Sequence, residues 1–170
     1  MSRQLTVMFC PINFVGPMNA SIGMAEVVRD SGHRIVFAIK SEWTGKLKIH
    51  GFEEEIIGNN EDSDGKGSAE KNATEFKVLF GPKSRVEKLK DLNKTVVDIQ
   101  MKDIEKDEPF LEEIVKRVKP DVILVDNVFY IPSLMASGIP WVWVMSCNPL
   151  TFQYGLDDEK LPPKLLGISH

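Results

Sequence analysis

Several kinds of chemistry are missing from this chain before any of its motifs are read. Cysteine is scarce: Cys10 and Cys147 stand far apart, neither in a Cys-x-x-Cys pair nor beside a histidine. That argues against a metal site such as zinc and for two buried free thiols in a reducing compartment. No stretch approaches the ~18 consecutive apolar residues that a membrane-spanning helix needs. The apolar run at 5–10 is too short for the core of a secretory signal, and no small-residue cleavage site follows it. The Asn-x-Ser/Thr sequons at Asn19, Asn72 and Asn93 therefore carry no weight, and a cytoplasmic location is expected. Excess positive charge is lacking too. The formal net charge is -4, so no general attraction to nucleic acid or an anionic membrane is expected. Lys83, Arg85, Lys88 and Lys90 are interleaved with acids, as on a solvated helix face. Neither Gly-x-Gly-x-x-Gly nor Gly-x-x-x-x-Gly-Lys-Ser/Thr occurs, and the first strand-to-helix turn has Gly16 alone. The helix after that turn could hold an anion through its dipole. Nothing shapes the turn for a pyrophosphate, so nucleotide binding by this part of the chain is disfavoured.

What remains is an ordinary globular composition, 42% hydrophobic and 27% charged. A chain of 170 residues suits a single domain, 1–170, that buries roughly two-thirds of its unfolded surface. Apolar runs at 5–10, 35–39, 121–126 and 141–146 read as strands, with a weaker one at 54–57. Ile22, Met24, Ala25, Val27 and Val28 share one helical face over 20–30, with Asn19 as predicted N-cap and Gly32 as predicted stop. Further helices are predicted at 42–50, at 110–118 behind Pro109 in the first-turn position, and at 131–137, with charged amphipathic sequence at 83–101. Residues 58–74 are polar and acidic and predict a mobile surface loop. The alternation predicts an α/β, Rossmann-like domain: a mainly parallel sheet, right-handed crossovers, and helices on both faces.

In such sheets ligands bind outside the carboxyl ends of the strands, near the point where strand order reverses. Three segments leave predicted strand ends. The first, 11–19, offers Asn13, Phe14, Pro17, Met18 and Asn19, with no side chain that takes up a proton near neutral pH. The second, 126–130, offers Asp126, Asn127 and Phe129, and the third, 147–152, offers Cys147 and Asn148. Together they describe an apolar pocket with a few polar groups, the usual make-up of a small-molecule site.

These residues stand in a familiar order. Gly16-Pro-Met-Asn-Ala-Ser21 is followed by the helix end Asp30-Ser-Gly-His-Arg-Ile35 and the run to Ile39. Later come Lys119-Pro-Asp-Val-Ile-Leu-Val-Asp126, the segments 133–140 and 141–146, and Asn148-Pro149. In this order and spacing the chain resembles the N-terminal, acceptor-binding domain of the UDP-dependent glycosyltransferases, the glucosyl- and glucuronosyltransferases of two-lobed GT-B fold. The resemblance covers 5–57 and 108–152, over half the chain. It implies a hexosyltransferase lobe that binds a small lipophilic acceptor, and it places Phe76 and Phe80, with Phe14, Met18 and Phe129, as candidates for the acceptor wall. The family's first loop carries a histidine that deprotonates the acceptor hydroxyl, oriented by an aspartate at a later strand end. An imidazole titrates near neutrality, and a paired carboxylate fixes its tautomer. Asp126 falls on the aspartate and Asn19 on the asparagine that follows the histidine, but Pro17 falls on the histidine itself. His33 matches a structural Gly-His of the family instead.

The resemblance also implies that a C-terminal lobe binds the UDP-sugar, and nothing in these 170 residues resembles that lobe's signature. No cofactor is therefore expected in this chain, and a UDP-sugar only together with a donor-binding domain or chain. Three readings follow: the acceptor lobe of a transferase, inactive by itself; a non-catalytic small-molecule binding protein derived from one; or one half of a split enzyme whose partner supplies the donor lobe. With Pro17 in place of histidine, the first reading leaves Asp126 as base, or an acceptor that needs little deprotonation.

Overall fold

In the computed structural model, which describes residues 3–58 and 82–146, the first apolar run forms β1 (Thr6–Pro11) and leads after three residues into α1 (Val15–Asp30). β2 (Arg34–Lys40) follows, then two short 3-10 turns, Ser41–Trp43 and Lys48–His50, and β3 (Glu53–Ile57). Past the acidic stretch come α2 (Arg85–Val118), β4 (Val122–Asp126), α3 (Pro132–Met135) and β5 (Trp141–Trp143). The strands lie in the order β3-β2-β1-β4-β5, and every pairing is parallel. The α/β, Rossmann-like sheet with helices on both faces that the sequence predicts is the fold observed.

The period-2 alternation of strand side chains sorts the core into two layers. Val7, Phe9, Ile35, Phe37 and Ile39 face α1, where Met18 and Ala25 close the layer with Leu47 and Phe52. Phe37 stacks between Phe9 and Phe52, with ring centroids 5.1 and 5.2 Å away. Met8, Cys10, Val36, Ala38, Ile123 and Val125 face the other way, onto Ile104, Leu111, Ile114 and Val118 of α2. Each such buried apolar side chain contributes roughly 1.5–3 kcal/mol against exposure, so the sheet is held between two sealed layers. Gly32 adopts φ +91 just after α1, the left-handed stop expected of it.

Four local expectations are corrected. α1 begins at Val15 behind Phe14, so Asn19 is an exposed residue of the helix and not its N-cap. Pro17 is compatible with this, because a first-turn N–H has no intrahelical acceptor to lose. The sequence 42–50 forms two 3-10 turns in place of one helix. The amphipathic material at 83–101 and the helix at 110–118 are one continuous 34-residue helix, with Pro109 inside it rather than at its start. Pro109 is exposed, so water can reach the carbonyl it leaves unbonded, and the buried stripe Gln100, Ile104, Asp107, Leu111, Ile114 and Val118 runs past it unbroken. The signal for the start lies at Ser84: its hydroxyl accepts from Glu87 N while the Glu87 carboxylate accepts from Ser84 N, a reciprocal cap. Finally, α3 shrinks to Pro132–Met135 and β5 to Trp141–Trp143, an edge strand with exposed side chains. The predicted loop at 58–74 falls, from residue 59 on, outside the described residues. No described helix is long and apolar enough to cross a membrane, and the described residues hold no group of three metal-ligating side chains.

Candidate functional site

Strand order reverses between β1 and β4, because the chain builds outward from β1 through β2 and β3 and then returns to β4 on the other side. The carboxyl ends of those two strands are in register: Pro11 lies opposite Asp126, and Ile12 N donates to Asp126 O at 2.8 Å. A crevice of about 90 Å3 opens at this end of the sheet, where the topology favours a ligand. Four predicted residues line it: Asn13, Phe14, Met18 and Asn127. Asn13 is held from two sides, donating to Glu42 Oε1 at 2.5 Å and accepting from Trp43 Nε1 at 2.9 Å. These bonds tie the turn after β1 to the turn after β2. Asn127 Oδ1 accepts from Phe129 N at 3.0 Å, and its backbone carbonyl accepts from Trp143 Nε1.

Other predicted residues sit elsewhere. Pro17 is half-buried in the first turn of α1 and is not among the crevice-lining residues, while Asn19 is exposed on the same helix. Phe129 packs on the core layer beneath α2. Asp126 lies behind the crevice at the tip of β4, 4% exposed. Its Oδ1 accepts from Ser146 N at 3.3 Å, whereas Oδ2 is buried with no hydrogen-bond partner among the described residues. A buried acceptor left without a donor costs about 1–3 kcal/mol, and such groups concentrate where a site is built for something else to bind. Phe76, Phe80, Cys147 and Asn148 lie outside the described residues. His33, kept out of the chemistry by the sequence reading, is at the far end of the sheet, where its Nδ1 accepts from Leu5 N at 3.2 Å. His50 pairs with Glu26 at 3.0 Å, away from the crevice lining.

Sequence reasoning missed the wall that α2 supplies. Gln100, Asp103, Ile104, Asp107 and Leu111 line the crevice, at the spacing of one helical face. Lys40, the last residue of β2, reaches across the mouth and pairs with Asp107 Oδ1. Burial pushes the Asp107 carboxyl above its ordinary value, with Asp103 adding to the effect and the Lys40 ammonium opposing it. Beneath the pair is the thiol of Cys10, pushed up to about 12 by burial, with Asp107 adding and Lys40 opposing. It is a protonated, inert core thiol. A usable signal did exist in the sequence: Gln100 and Asp107 occupy core-facing positions of an otherwise apolar stripe, and Lys40 ends an apolar strand. Reading it required knowing that 85–118 is one helix.

No protein-family profile matches the chain, and no curated protein sequence matches it. Solved structures do. The glycotransferase of kitacinnamycin superposes with a TM-score of 0.55 at 17% identity, over 84% of this chain and 30% of that one. SsfS6, a Streptomyces glycosyltransferase, gives 0.54 at 13% identity, over 82% and 39%. The glycosyltransferase SnogD from Streptomyces nogalater gives 0.52 at 11% identity, over 84% and 36%. The chain thus spans a third or so of the length of the structures it resembles. Its parallel five-stranded sheet and flanking helices are the Rossmann-like architecture that these glycosyltransferases of GT-B type share with it.

Proposed function

We propose that this chain is the acceptor-binding lobe of a GT-B glycosyltransferase that transfers a sugar from a UDP-sugar to small lipophilic molecules. The observation that carries the reading is the crevice at the β1–β4 reversal. Its floor and one side are apolar, through Phe14, Met18, Ile39 and Ile57, and the carboxylate of Asp126 stands at the adjoining strand tip. Partial coverage of larger glycosyltransferases supports it, since the donor site is then supplied by sequence or a chain other than these residues.

In that reading the lobe works mainly by positioning. Inversion at the anomeric carbon needs the acceptor atom in line with the departing UDP, and holding it there supplies much of the rate. The acceptor atom forms its bond to the anomeric carbon as the bond to UDP breaks, and the acceptor's proton passes to a base. Pro17 cannot be that base, so Asp126 takes the proton, or the acceptor is an amine or an acidic phenol that needs little help.

Isothermal titration of the chain with a panel of lipophilic phenols tests the reading. Binding in the micromolar to millimolar range is expected, weakened when the half-buried Phe14 of the crevice lining is replaced by alanine. No binding by any phenol defeats it. When a donor lobe is present, Pro17→His is expected to raise O-glycosylation, since general-base catalysis contributes about 10²–10⁴-fold. An unchanged rate on a hydroxyl acceptor refutes the placement of Pro17. Binding that a UDP-sugar never alters, with no transfer by any longer form of the protein, favours the carrier reading.

A further inference from the structure

Two carboxylates and one ammonium are the charged groups of the crevice lining: Asp103, Asp107 and Lys40. Lys40 is already committed to Asp107. Asp103, one turn away on the same face of α2, has neither a hydrogen bond nor an ion pair within the described residues, and it is exposed at the crevice mouth. One turn further lies Gln100. It is only 8% exposed, lines the crevice, and its amide has no hydrogen-bond partner among the described residues. Among the described residues Asp126 Oδ2 alone is a fully buried side-chain N or O atom without a partner, so the Gln100 amide keeps contact with the crevice space, where it can accept from or donate to a ligand. Across from these groups the lining is Phe14, Met18, Ile39 and Ile57. The crevice therefore has a greasy side and a polar side whose uncompensated charge is negative.

Resting on the acceptor-site reading, we propose that the crevice selects acceptors bearing a protonated amine on a small hydrophobic body. The ammonium sits against the α2 wall between Asp103 and Gln100, and the apolar body lies on Phe14 and Met18. An ammonium has three donors and no acceptor, which suits a carboxylate beside an amide carbonyl. A carboxylate ligand meets Asp103 and Asp107 with Lys40 already engaged, and a neutral alcohol forms the hydrogen bonds without the charge. This ammonium is a recognition handle and not the nucleophile, because its lone pair is taken.

The test titrates the isotopically labelled chain, near neutral pH and at one ionic strength, with phenethylamine, 2-phenylethanol and phenylacetate. Amide shifts of the chain, including the Gln100 side-chain amide, report both site and affinity. The amine is expected to bind about fivefold or more tighter than the alcohol, as a charge-assisted hydrogen bond should, and phenylacetate weakest. Asp103→Asn, at an exposed position, brings the amine-to-alcohol ratio close to one, and Gln100→Met lowers it as well. Equal affinities in the unaltered chain, or preference for phenylacetate, overturn the proposal while leaving the crevice as the acceptor site. If none of the three probes shifts the crevice residues, the acceptor-site reading falls with it.

Discussion

Replacing Lys40 by methionine strands the carboxylate of Asp107 against the core layer, and the consequence can be worked out from the site. At an effective dielectric near 20, a unit pair at 4 Å attracts by about 4 kcal/mol, yet the Asp107 carboxyl is still displaced upward, so burial outweighs that attraction. The intact pair is therefore worth little, whereas breaking a fully buried one costs about 3–5 kcal/mol. The Lys40 and Asp107 side chains are 24% and 13% exposed, so some water still reaches them, and a loss of about 2–3 kcal/mol is expected for Lys40→Met. At roughly 2–4 °C per kcal/mol for a chain of this size, the melting temperature falls by about 5–10 °C. The double variant Lys40→Met/Asp107→Leu, which removes both charges, should recover most of that loss. The pH dependence has a definite sign. Because the folded-state value of Asp107 is raised, its contribution is fully present below the ordinary carboxylate value and is lost as pH rises through the folded one. Lys40→Met raises that folded value further, so its cost is largest near neutrality and shrinks as pH falls and Asp107 takes up its proton. Urea unfolding followed by far-UV circular dichroism at several pH values measures this. A variant as stable as the parent at neutral pH, or a loss that does not shrink on acidification, refutes the account.

In a Cys147→Ser background, the Cys10 thiol should stay unlabelled by iodoacetamide in the native state and react fully in denaturant, as burial and its high pKa require; rapid native labelling would show that the core is open there. Phe37→Ala, at the centre of the Phe9–Phe37–Phe52 stack, should cost about 3–5 kcal/mol, read from the urea midpoint, and a loss under about 1 kcal/mol would contradict the packing. Ser84→Ala removes the α2 cap and should cost about 1 kcal/mol, with early hydrogen exchange confined to the first turns of that helix.

The element pattern was readable from the chain because strand runs and turn residues are local signals. Val7 and Phe9 alternate with Met8 and Cys10 in the sequence as they do across the sheet, and Gly32 stops α1 where its backbone freedom allows. Part of the crevice was readable for the same reason: Asn13, Phe14, Met18 and Asn127 follow strand ends, and strand ends face ligands in any parallel sheet. Local rules misjudged Asn19 and Pro109, where a favourable cap type and a helix-opening residue both ended up inside helices. In each case burial of a continuous stripe outweighed the local preference. The α2 wall is of a different kind. Lys40 and Asp107 are 67 residues apart, and neither position announces the other. Only the return of the chain to β4, with α2 laid over Met8 and Ile123, brings the two charges together above Cys10. Local composition determines which segments can be strands and helices, while the charge of the crevice is a product of which distant segments come to share one low-dielectric space.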